Sequence, residues 1–433
     1  MLSPSAKKAE TRAWFVCTGR DRNVILLSLF LQLVLGLLFG HAYDMRIFMA
    51  TGYLVATGQN PYIAQDLTSV FHNDLFRGMT SIGYPPPWPI FLGFIYYCVY
   101  HIVPNLMIYN LSIKIPVIAA NIGLAFVVAD VLMGLGSETE VSRRAWVFLL
   151  LNPLLLYFAI AWGQIDSIVA LFSLIGLVLL KEGKIKSSAI LIALGISLKP
   201  IALPIVLVAF VYLLRKSLWR ATIFSIVFVS GLLLFCVAPF VIFRWDPSVI
   251  FQNWNAHFTV AGGMSMLTFY ELVANSYQLS GLWWLLGMVW ILALGLASLT
   301  LRYGIGGFED LLKKTTGLVM VFFLTLAWLS EPNVILVLPF IVILTFIGEL
   351  DRLALLAIWI LPLVFTVLNT SLPQLLFPSF PAIMNRLLML MDNYRSARLV
   401  ARSVVVFIWQ IVGWWIVFSC LRKNPELVKP LLQ

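Results

Sequence analysis

Long apolar runs recur from residue 24 to residue 421 and make up most of the chain. So much apolar surface cannot be buried by a soluble fold, so the solvent around it is lipid. Backbone groups in lipid must be satisfied internally, and runs that are continuous instead of alternating favour helices over a barrel. Only 11% of the residues are charged, against roughly 25% in a soluble domain. The sequence therefore predicts an all-α polytopic membrane protein without a soluble domain.

The basic residues predict how the chain threads the membrane. The net charge is +10, but Lys and Arg lie in short clusters between apolar runs, which is typical of cytoplasmic loops and not of a nucleic-acid-binding face. Residues 1–23 and 422–433 are thus predicted to be cytoplasmic tails around a single transmembrane domain, residues 24–421, whose first span is retained. About twelve spans are predicted, at residues 24–41, 112–133, 146–161, 167–181, 187–199, 201–214, 221–243, 282–301, 316–330, 333–348, 353–369 and 403–421.

Residues 88–106 allow two interpretations. They are apolar enough to cross the membrane, but a crossing would put the later basic clusters on the outer side. We therefore expect interfacial helices within a first outer loop, residues 42–111, and further outer loops at residues 244–281 and 370–402. Several predicted spans are shorter than a full crossing, which indicates a water-filled cavity near residues 146–214 and 316–348.

Unusual polar residues gather on the predicted outer side. An ionisable residue at membrane depth is costly, so its default interpretation is functional. The candidates are Asp44, Asp166, Lys199, His257, Glu331, Arg386, Arg395 and Arg398. Simpler interpretations stay open: Asp166 as a helix cap, Lys199 reaching to the interface, Asp44 paired with Arg46, Glu331 as a loop charge, His257 as an ordinary loop histidine, and the arginines bound to anionic lipid.

Such a set suits transfer from a lipid phosphate donor. A carboxylate accepts the proton of an attacking hydroxyl, and cationic side chains stabilise the departing phosphate. A divalent cation could share that role, although the four cysteines lie far apart and the sequence carries no metal-binding motif.

Several short motifs, taken in order, resemble the C-type glycosyltransferase superfamily. These are His41-Ala42-Tyr43-Asp44, Asn60-Pro61-Tyr62, Tyr84-Pro85-Pro86, Asn152-Pro153, Gly163-Gln164-Ile165-Asp166, Leu198-Lys199-Pro200 and Ser330-Glu331-Pro332-Asn333. Their order is similar to the branch of polyprenol-phosphate-mannose-dependent mannosyltransferases. The resemblance implies that Asp44 is the catalytic base or a carboxylate that orients the acceptor, that Asp166 and Lys199 line the donor phosphate site, and that Tyr62, Tyr84 and Gln164 bind substrate or donor.

The leading hypothesis is therefore a hexosyltransferase. Its partners would be a polyprenyl- or dolichyl-phosphate-linked sugar, a lipid-linked or glycan acceptor and membrane lipids, with no nucleic acid. It would act at the outer face of a prokaryotic plasma membrane or the lumen of the endoplasmic reticulum. The alternatives are a transporter or lipid flippase that uses Asp166 and Lys199, which the lack of a repeat disfavours, and a non-catalytic subunit.

Overall fold

A computed structural model describes residues 15–248, 250–252, 260, 262–274, 278, 288, 291–292, 294–295 and 306–421. Helices account for most of these residues, as the apolar runs predict. The longer helices are α1 (Gly19–Leu38), α2 (Ala42–Ala56), α3 (Pro87–Ile95), α4 (Leu106–Gly134), α5 (Thr139–Leu150), α6 (Asp166–Lys181), α7 (Ile185–Leu198), α8 (Leu203–Lys216), α9 (Leu218–Leu232), α10 (Phe308–Thr325), α11 (Leu338–Phe346), α12 (Arg352–Leu368), α13 (Pro381–Asp392) and α14 (Arg395–Leu421).

Shorter helical segments connect or extend these helices. They are Thr68–Phe71, Asp74–Phe76, Tyr96–Tyr100, Leu155–Trp162, Pro200–Ala202, Leu233–Val237, Ala238–Phe243, Thr268–Ala274, Glu331–Leu336 and Ser371–Gln374. Three of them are turns of π-helix that prolong α3, α5 and α9, namely Tyr96–Tyr100, Leu155–Trp162 and Leu233–Val237. Such widened turns interrupt the regular hydrogen-bond pattern and often occur at functional sites.

Within the described residues, five helical stretches are long and apolar enough to cross a membrane. They are Gly19–Leu38, Leu106–Gly134, Thr139–Trp162, Leu218–Phe243 and Arg395–Leu421. The all-α membrane fold is thus confirmed, whereas the count of about twelve spans stays a prediction. Most of the predicted span at 282–301, and both terminal tails except residues 15–23, lie outside the described residues.

The stretch whose crossing was ambiguous forms a short helix. The nine residues of α3 continue into the five residues of Tyr96–Tyr100 and end in a turn. At 1.5 Å per residue this helix is about 21 Å long, less than the ~30 Å of a hydrocarbon core. Its length agrees with the predicted interfacial position, which stays a prediction.

Two sets of contacts mark the two ends of the helix bundle. At one end Arg143 Nε lies 3.0 Å from Asp21 Oδ1, and Lys314 Nζ donates to the Leu421 carbonyl at 3.1 Å. At the other end the carbonyl of Trp162 accepts from the His41 backbone N–H at 3.1 Å. Helices α6 and α7 join these ends, so the polar turns after Trp162 and after α7 lie at the end that carries His41.

A fully buried lysine fastens this second end. The Lys114 ammonium on α4 contacts the carbonyl oxygen of Phe39, and lies 3.4 Å from those of Gly36 and Ala161. Asn110, one turn earlier, donates to the carbonyls of Gly36 and Phe39 at 2.7 and 2.8 Å. A helix ends with unsatisfied carbonyl groups, and these two side chains satisfy them without water.

Two short ladders connect distant parts of the chain. Phe39–Gly40 pairs antiparallel with Phe377–Pro378, and Ser379 Oγ donates to the Leu38 carbonyl at 2.7 Å. Gly262–Gly263 pairs in parallel with Trp328–Leu329. Both ladders lie beside the polar turns, so chain segments far apart in sequence surround the same end of the bundle.

The contact between α2 and α3 predicts a sharp response to one added methyl group. A Cβ at Gly52 would lie 2.1 Å from the Tyr109 hydroxyl and 2.7 Å from the Leu92 carbonyl oxygen. We expect Gly52→Ala to lower the free energy of unfolding by about 1–3 kcal/mol, because this packing leaves no room for the methyl group. Thermal unfolding in detergent measures the change. Gly134→Ala on α4 is the matched control, since a Cβ at Gly134 would meet no atom within 4 Å; equal effects of the two substitutions would contradict the packing argument.

Candidate active site

Asp44 lies in the first turn of α2, directly after the short strand that follows α1. Its side chain is 21% exposed, and one carboxylate oxygen carries both of its polar contacts. Trp162 Nε1 donates to Asp44 Oδ2 at 2.5 Å, and His41 Nδ1 lies 3.0 Å from the same oxygen. The alternative pairing with Arg46 does not form, because that guanidinium donates to the carbonyls of Ala42 and Leu75. The arrangement leaves Oδ1 as the oxygen available for chemistry.

Trp162 reaches Asp44 because it is the last residue of the helical segment Leu155–Trp162, which ends at Gly163. This glycine has φ +98°, and a Cβ there would lie 2.4 Å from Met45 Sδ and 2.9 Å from Lys114 Cε. Only glycine combines that backbone conformation with so close a contact. The indole of Trp162 stacks on the His41 imidazole, with ring centroids 4.0 Å apart and planes 13° apart. The stack fixes both groups that contact Oδ2.

These contacts set the protonation state of Asp44. Burial acts to raise the pKa of its carboxyl group, but the close contact with His41, the hydrogen bond from Trp162 and the charge of Lys199 outweigh burial. The pKa of Asp44 therefore lies below its ordinary value, so the group is a carboxylate at neutral pH.

Asp166 and Lys199 form a buried ion pair between two helix ends. Lys199 Nζ donates to Asp166 Oδ1 at 2.9 Å and to Oδ2 at 2.8 Å, and the two side chains are 16% and 0% exposed. The Asp166 carboxylate therefore pairs with Lys199 and does not cap its own helix. An ammonium group has three N–H donors, so Lys199 keeps one for a further acceptor.

Tyr84 connects the ion pair with the Asp44 region. Its hydroxyl donates to Gln164 Oε1 at 2.8 Å, and Lys199 Nζ lies 5.8 Å from its ring centroid. Burial raises the pKa of the Tyr84 hydroxyl well above its ordinary value, and the charges of Asp166 and Asp44 add to the effect. Tyr84 is thus a neutral hydrogen-bond donor that is electrostatically close to both carboxylates.

Tyr62, by contrast, contacts Tyr84 from the buried interior of the protein. It is fully buried, and its hydroxyl donates to the Tyr84 carbonyl at 3.1 Å. Its ring stacks on Phe240, with centroids 5.3 Å apart. These contacts hold Tyr84 in place, and the predicted role of Tyr62 in binding substrate or donor stays a prediction.

Glu331 belongs to a second group of polar side chains, together with Asn369 and Arg402. Its Oε1 accepts from Asn369 Nδ2 at 3.1 Å, and Asn369 Oδ1 accepts from Arg402 Nη1 at 3.2 Å. Arg402 Nη2 lies 3.8 Å from Glu271 Oε1, which ties α14 to the helix Thr268–Ala274. The side chain of Glu331 is buried, and the charge of Arg402 acts on it.

The remaining predicted residues stand apart from these contacts. Arg386 and Arg395 are exposed on α13 and α14, and Arg398 donates to the carbonyls of Met391 and Leu368. In the described part of the chain no hydrogen bond or ion pair joins these three arginines to Asp44 or Lys199, and their role stays a prediction. His257 lies outside the described residues.

The acidic residues of the site are not arranged as a metal centre. Among the described residues no three His, Cys, Asp or Glu side chains are grouped so that they could hold a metal ion. Asp44 Oδ2 and both oxygens of Asp166 already face N–H donors. These residues do not fit the divalent cation that the sequence left open, and the chemistry that follows uses side chains alone.

Sequence reasoning missed Trp162, Asn369 and Lys114. The signal for Lys114 was present, because a lysine inside an apolar run is costly and therefore rarely without a purpose. Trp162 and Asn369 carry no such signal. An indole or an amide at a helix end is ordinary, and only the folded chain shows that they contact Asp44 and Glu331.

The Asp166–Lys199 pair predicts a characteristic double-mutant result. Lys199→Met leaves an uncompensated carboxylate that is completely buried, and we expect a loss of about 3–5 kcal/mol in unfolding free energy. Lys199→Met with Asp166→Leu removes that buried charge and should recover part of the loss. Lys184→Met is the control, because its pair with Glu182 is exposed and contributes at most about 1 kcal/mol. Thermal unfolding decides, and a double variant less stable than Lys199→Met would contradict the assignment.

Comparison with known proteins identifies the family. The profile of Glycosyltransferase family 87 matches residues 84–332, more than half of the chain. This segment contains Tyr84, Gln164, Asp166, Lys199 and Glu331. No curated protein matches the chain. The matched segment begins after Asp44 and ends before Asn369, so both flanks add contacts to the family's segment. The chain is a member of Glycosyltransferase family 87, and the protein is a membrane glycosyltransferase.

Proposed function

We propose that the protein transfers mannose from a polyprenyl- or dolichyl-phosphate donor to an acceptor hydroxyl at the outer or luminal face of its membrane. The family assignment supports a transferase and favours it over the transporter or flippase alternative. The observation that carries the proposed mechanism is the Asp44 carboxylate, which is contacted at Oδ2 alone and on which the charge of Lys199 acts. Lys199 belongs to the buried ion pair with Asp166.

Asp44 is the proposed general base. The acceptor oxygen attacks the anomeric carbon of the donor sugar while Asp44 Oδ1 takes the hydroxyl proton. The new bond joins this oxygen to the anomeric carbon, and the bond from that carbon to the phosphate oxygen breaks. Attack from the face opposite the phosphate inverts the configuration. A phosphate leaves with the electron pair and needs little acid assistance.

Lys199 is the proposed partner of the departing phosphate. Its third N–H donor is directed by the two hydrogen bonds to Asp166, which hold the ammonium group in one position. The Tyr84 ring beneath it completes the setting. A donor held before the reaction stabilises the developing phosphate charge without reorganisation. In this scheme Asp166 is a positioning residue, since a carboxylate would repel a phosphate in direct contact.

Replacing the proposed base tests the proposed function. With radiolabelled mannose on polyprenyl phosphate, and membrane extract as the source of acceptors, we expect Asp44→Asn to reduce transfer about 10²- to 10⁴-fold, the usual contribution of a general base. Asp74→Asn is the matched control, because Asp74 is exposed in the same loop and pairs with Arg77. Full activity of Asp44→Asn would remove Asp44 from the mechanism, and wild-type protein inactive with every polyprenyl-phosphate sugar would refute the donor class.

The contact from Trp162 predicts a pH effect. A base whose pKa is lowered keeps its active form above that pKa and loses it as the pH falls through it. Wild-type transfer should therefore show no loss from Asp44 between neutral pH and about pH 5. Trp162→Phe removes the N–H donor but keeps the aromatic stack, so the acidic limb should move to higher pH.

The same substitution should reduce kcat/KM roughly ten- to hundredfold, the value of a hydrogen bond to a charged group. The measurement is kcat/KM as a function of pH for both proteins. Trp88→Phe is the control, since its indole packs against Phe48 and not against Asp44. An acidic limb that stays at the wild-type pH would show that Trp162 does not tune Asp44.

A further inference from the structure

We propose that Lys114 is a positioning residue for the transfer reaction, which makes no contact with substrate and fixes the position of Trp162 relative to Asp44. This inference rests on the proposed function, because it takes Asp44 as the base. It extends the catalytic machinery to a side chain on another helix, α4, that holds the backbone segments on which Asp44 and Trp162 depend.

The side chain of Lys114 is fully buried, and its ammonium group is already committed to the protein. Nζ contacts the carbonyl oxygen of Phe39 and lies 3.4 Å from the carbonyl oxygens of Gly36 and Ala161. An ammonium group has three N–H donors and no acceptor. Three carbonyl acceptors therefore use its whole capacity, so Lys114 does not bind the donor phosphate in the way proposed for Lys199.

Two of these carbonyl groups belong to residues next to the proposed base. Ala161 directly precedes Trp162, whose indole donates to Asp44 Oδ2 at 2.5 Å. Phe39 lies two residues before His41, whose Nδ1 is 3.0 Å from the same oxygen. Both groups that contact Oδ2 therefore lie within two residues of a carbonyl that the ammonium group holds.

In the part of the chain that the structure describes, two polar contacts link the backbone of these two segments. One is Lys114 between the carbonyls of Phe39 and Ala161, and the other is the hydrogen bond from the His41 N–H to the Trp162 carbonyl at 3.1 Å. Removing the ammonium group leaves the second contact alone, so the two segments can shift against each other. A misplacement of about 1 Å at a reacting centre can reduce turnover about a hundredfold.

Lys114→Met tests this inference, because methionine keeps most of the apolar side chain and removes the N–H donors. Lys314→Met is the matched control. Lys314 is also a buried lysine that donates to helix-end carbonyls, those of Cys420 and Leu421 at 3.3 and 3.1 Å, but at the opposite end of the bundle. A loss caused only by removing a buried ammonium group would appear in both variants. Should Lys114→Met fail to fold, Lys114→Gln, whose donor has a shorter reach, carries the same tests.

The first measurement is kcat and KM for mannose on polyprenyl phosphate, per folded protein in lipid nanodiscs, with membrane extract as the source of acceptors. We expect Lys114→Met to lower kcat roughly ten- to hundredfold. The KM for the donor should stay within about twofold, because the pair of Lys199 with Asp166 is intact. Lys314→Met should leave both constants within about twofold of wild type. Equal losses of kcat in the two variants, or a KM that rises as kcat falls, would overturn the proposal.

A double variant shows whether Lys114 acts through Trp162. Trp162→Phe removes the indole donor, so the hydrogen bond that Lys114 aligns is already gone. Adding Lys114→Met to Trp162→Phe should therefore lower kcat by no more than about twofold below the more impaired single variant. Independent contributions would instead multiply, and a multiplied loss would contradict the positioning role.

A measurement without substrate separates this inference from the proposed function. The His41 amide donates to the Trp162 carbonyl, so its hydrogen exchange reports on the junction of the two segments. We expect Lys114→Met to speed this exchange about tenfold and Lys314→Met to leave it unchanged. Equal exchange in wild type and Lys114→Met would end the proposal. Wild-type protein without donor turnover would refute the proposed function, and exchange at His41 would still decide whether Lys114 holds the junction.

Discussion

The buried ammonium group of Lys114 is the interaction on which the active end of the bundle depends. It reaches the carbonyl oxygens of Phe39 and Ala161, which belong to segments more than a hundred residues apart. One segment leads into α2 and hence to Asp44; the other ends in Trp162. Burying the Lys114 side-chain nitrogen is costly unless its N–H donors are satisfied, and the carbonyl oxygens at the two helix ends accept from them. The lysine and the two helix ends therefore satisfy one another.

This arrangement explains why a reactive carboxylate can be held so firmly in a membrane protein. Asp44, the proposed base, is held by an indole and an imidazole that stack on each other, and Lys199 is held by Asp166. Neither charge depends on water for its position. Preorganised polar groups of this kind lower a barrier because nothing has to reorient during the reaction. The bundle thus uses its low dielectric to strengthen a few contacts instead of avoiding charge altogether.

The sequence predicts the fold class, and it singles out several residues that the structure brings together, because both depend on local patterns. Continuous apolar runs require helices, and Asp166 and Lys199 stand out as ionisable residues at helix ends. What it does not predict are contacts made by ordinary residues at long separation, such as Trp162 with Asp44 or Asn369 with Glu331. It also could not show that the Tyr62 hydroxyl donates to the Tyr84 carbonyl, since an aromatic residue has no sequence pattern that reveals its partner.

The pairing of Phe39–Gly40 with Phe377–Pro378 has a consequence for how the molecule holds together as a whole. The first and last thirds of the chain meet at this ladder. The ladder therefore closes a loop of the chain that contains the matched family segment, residues 84–332. One arm of this loop, between Gly40 and residue 84, contains Asp44; the other arm, between residue 332 and Phe377, contains Asn369. Neither arm can move away from the other without breaking the backbone hydrogen bonds of this ladder. Loosening either arm should therefore disturb the surroundings of Asp44 and Asn369 together.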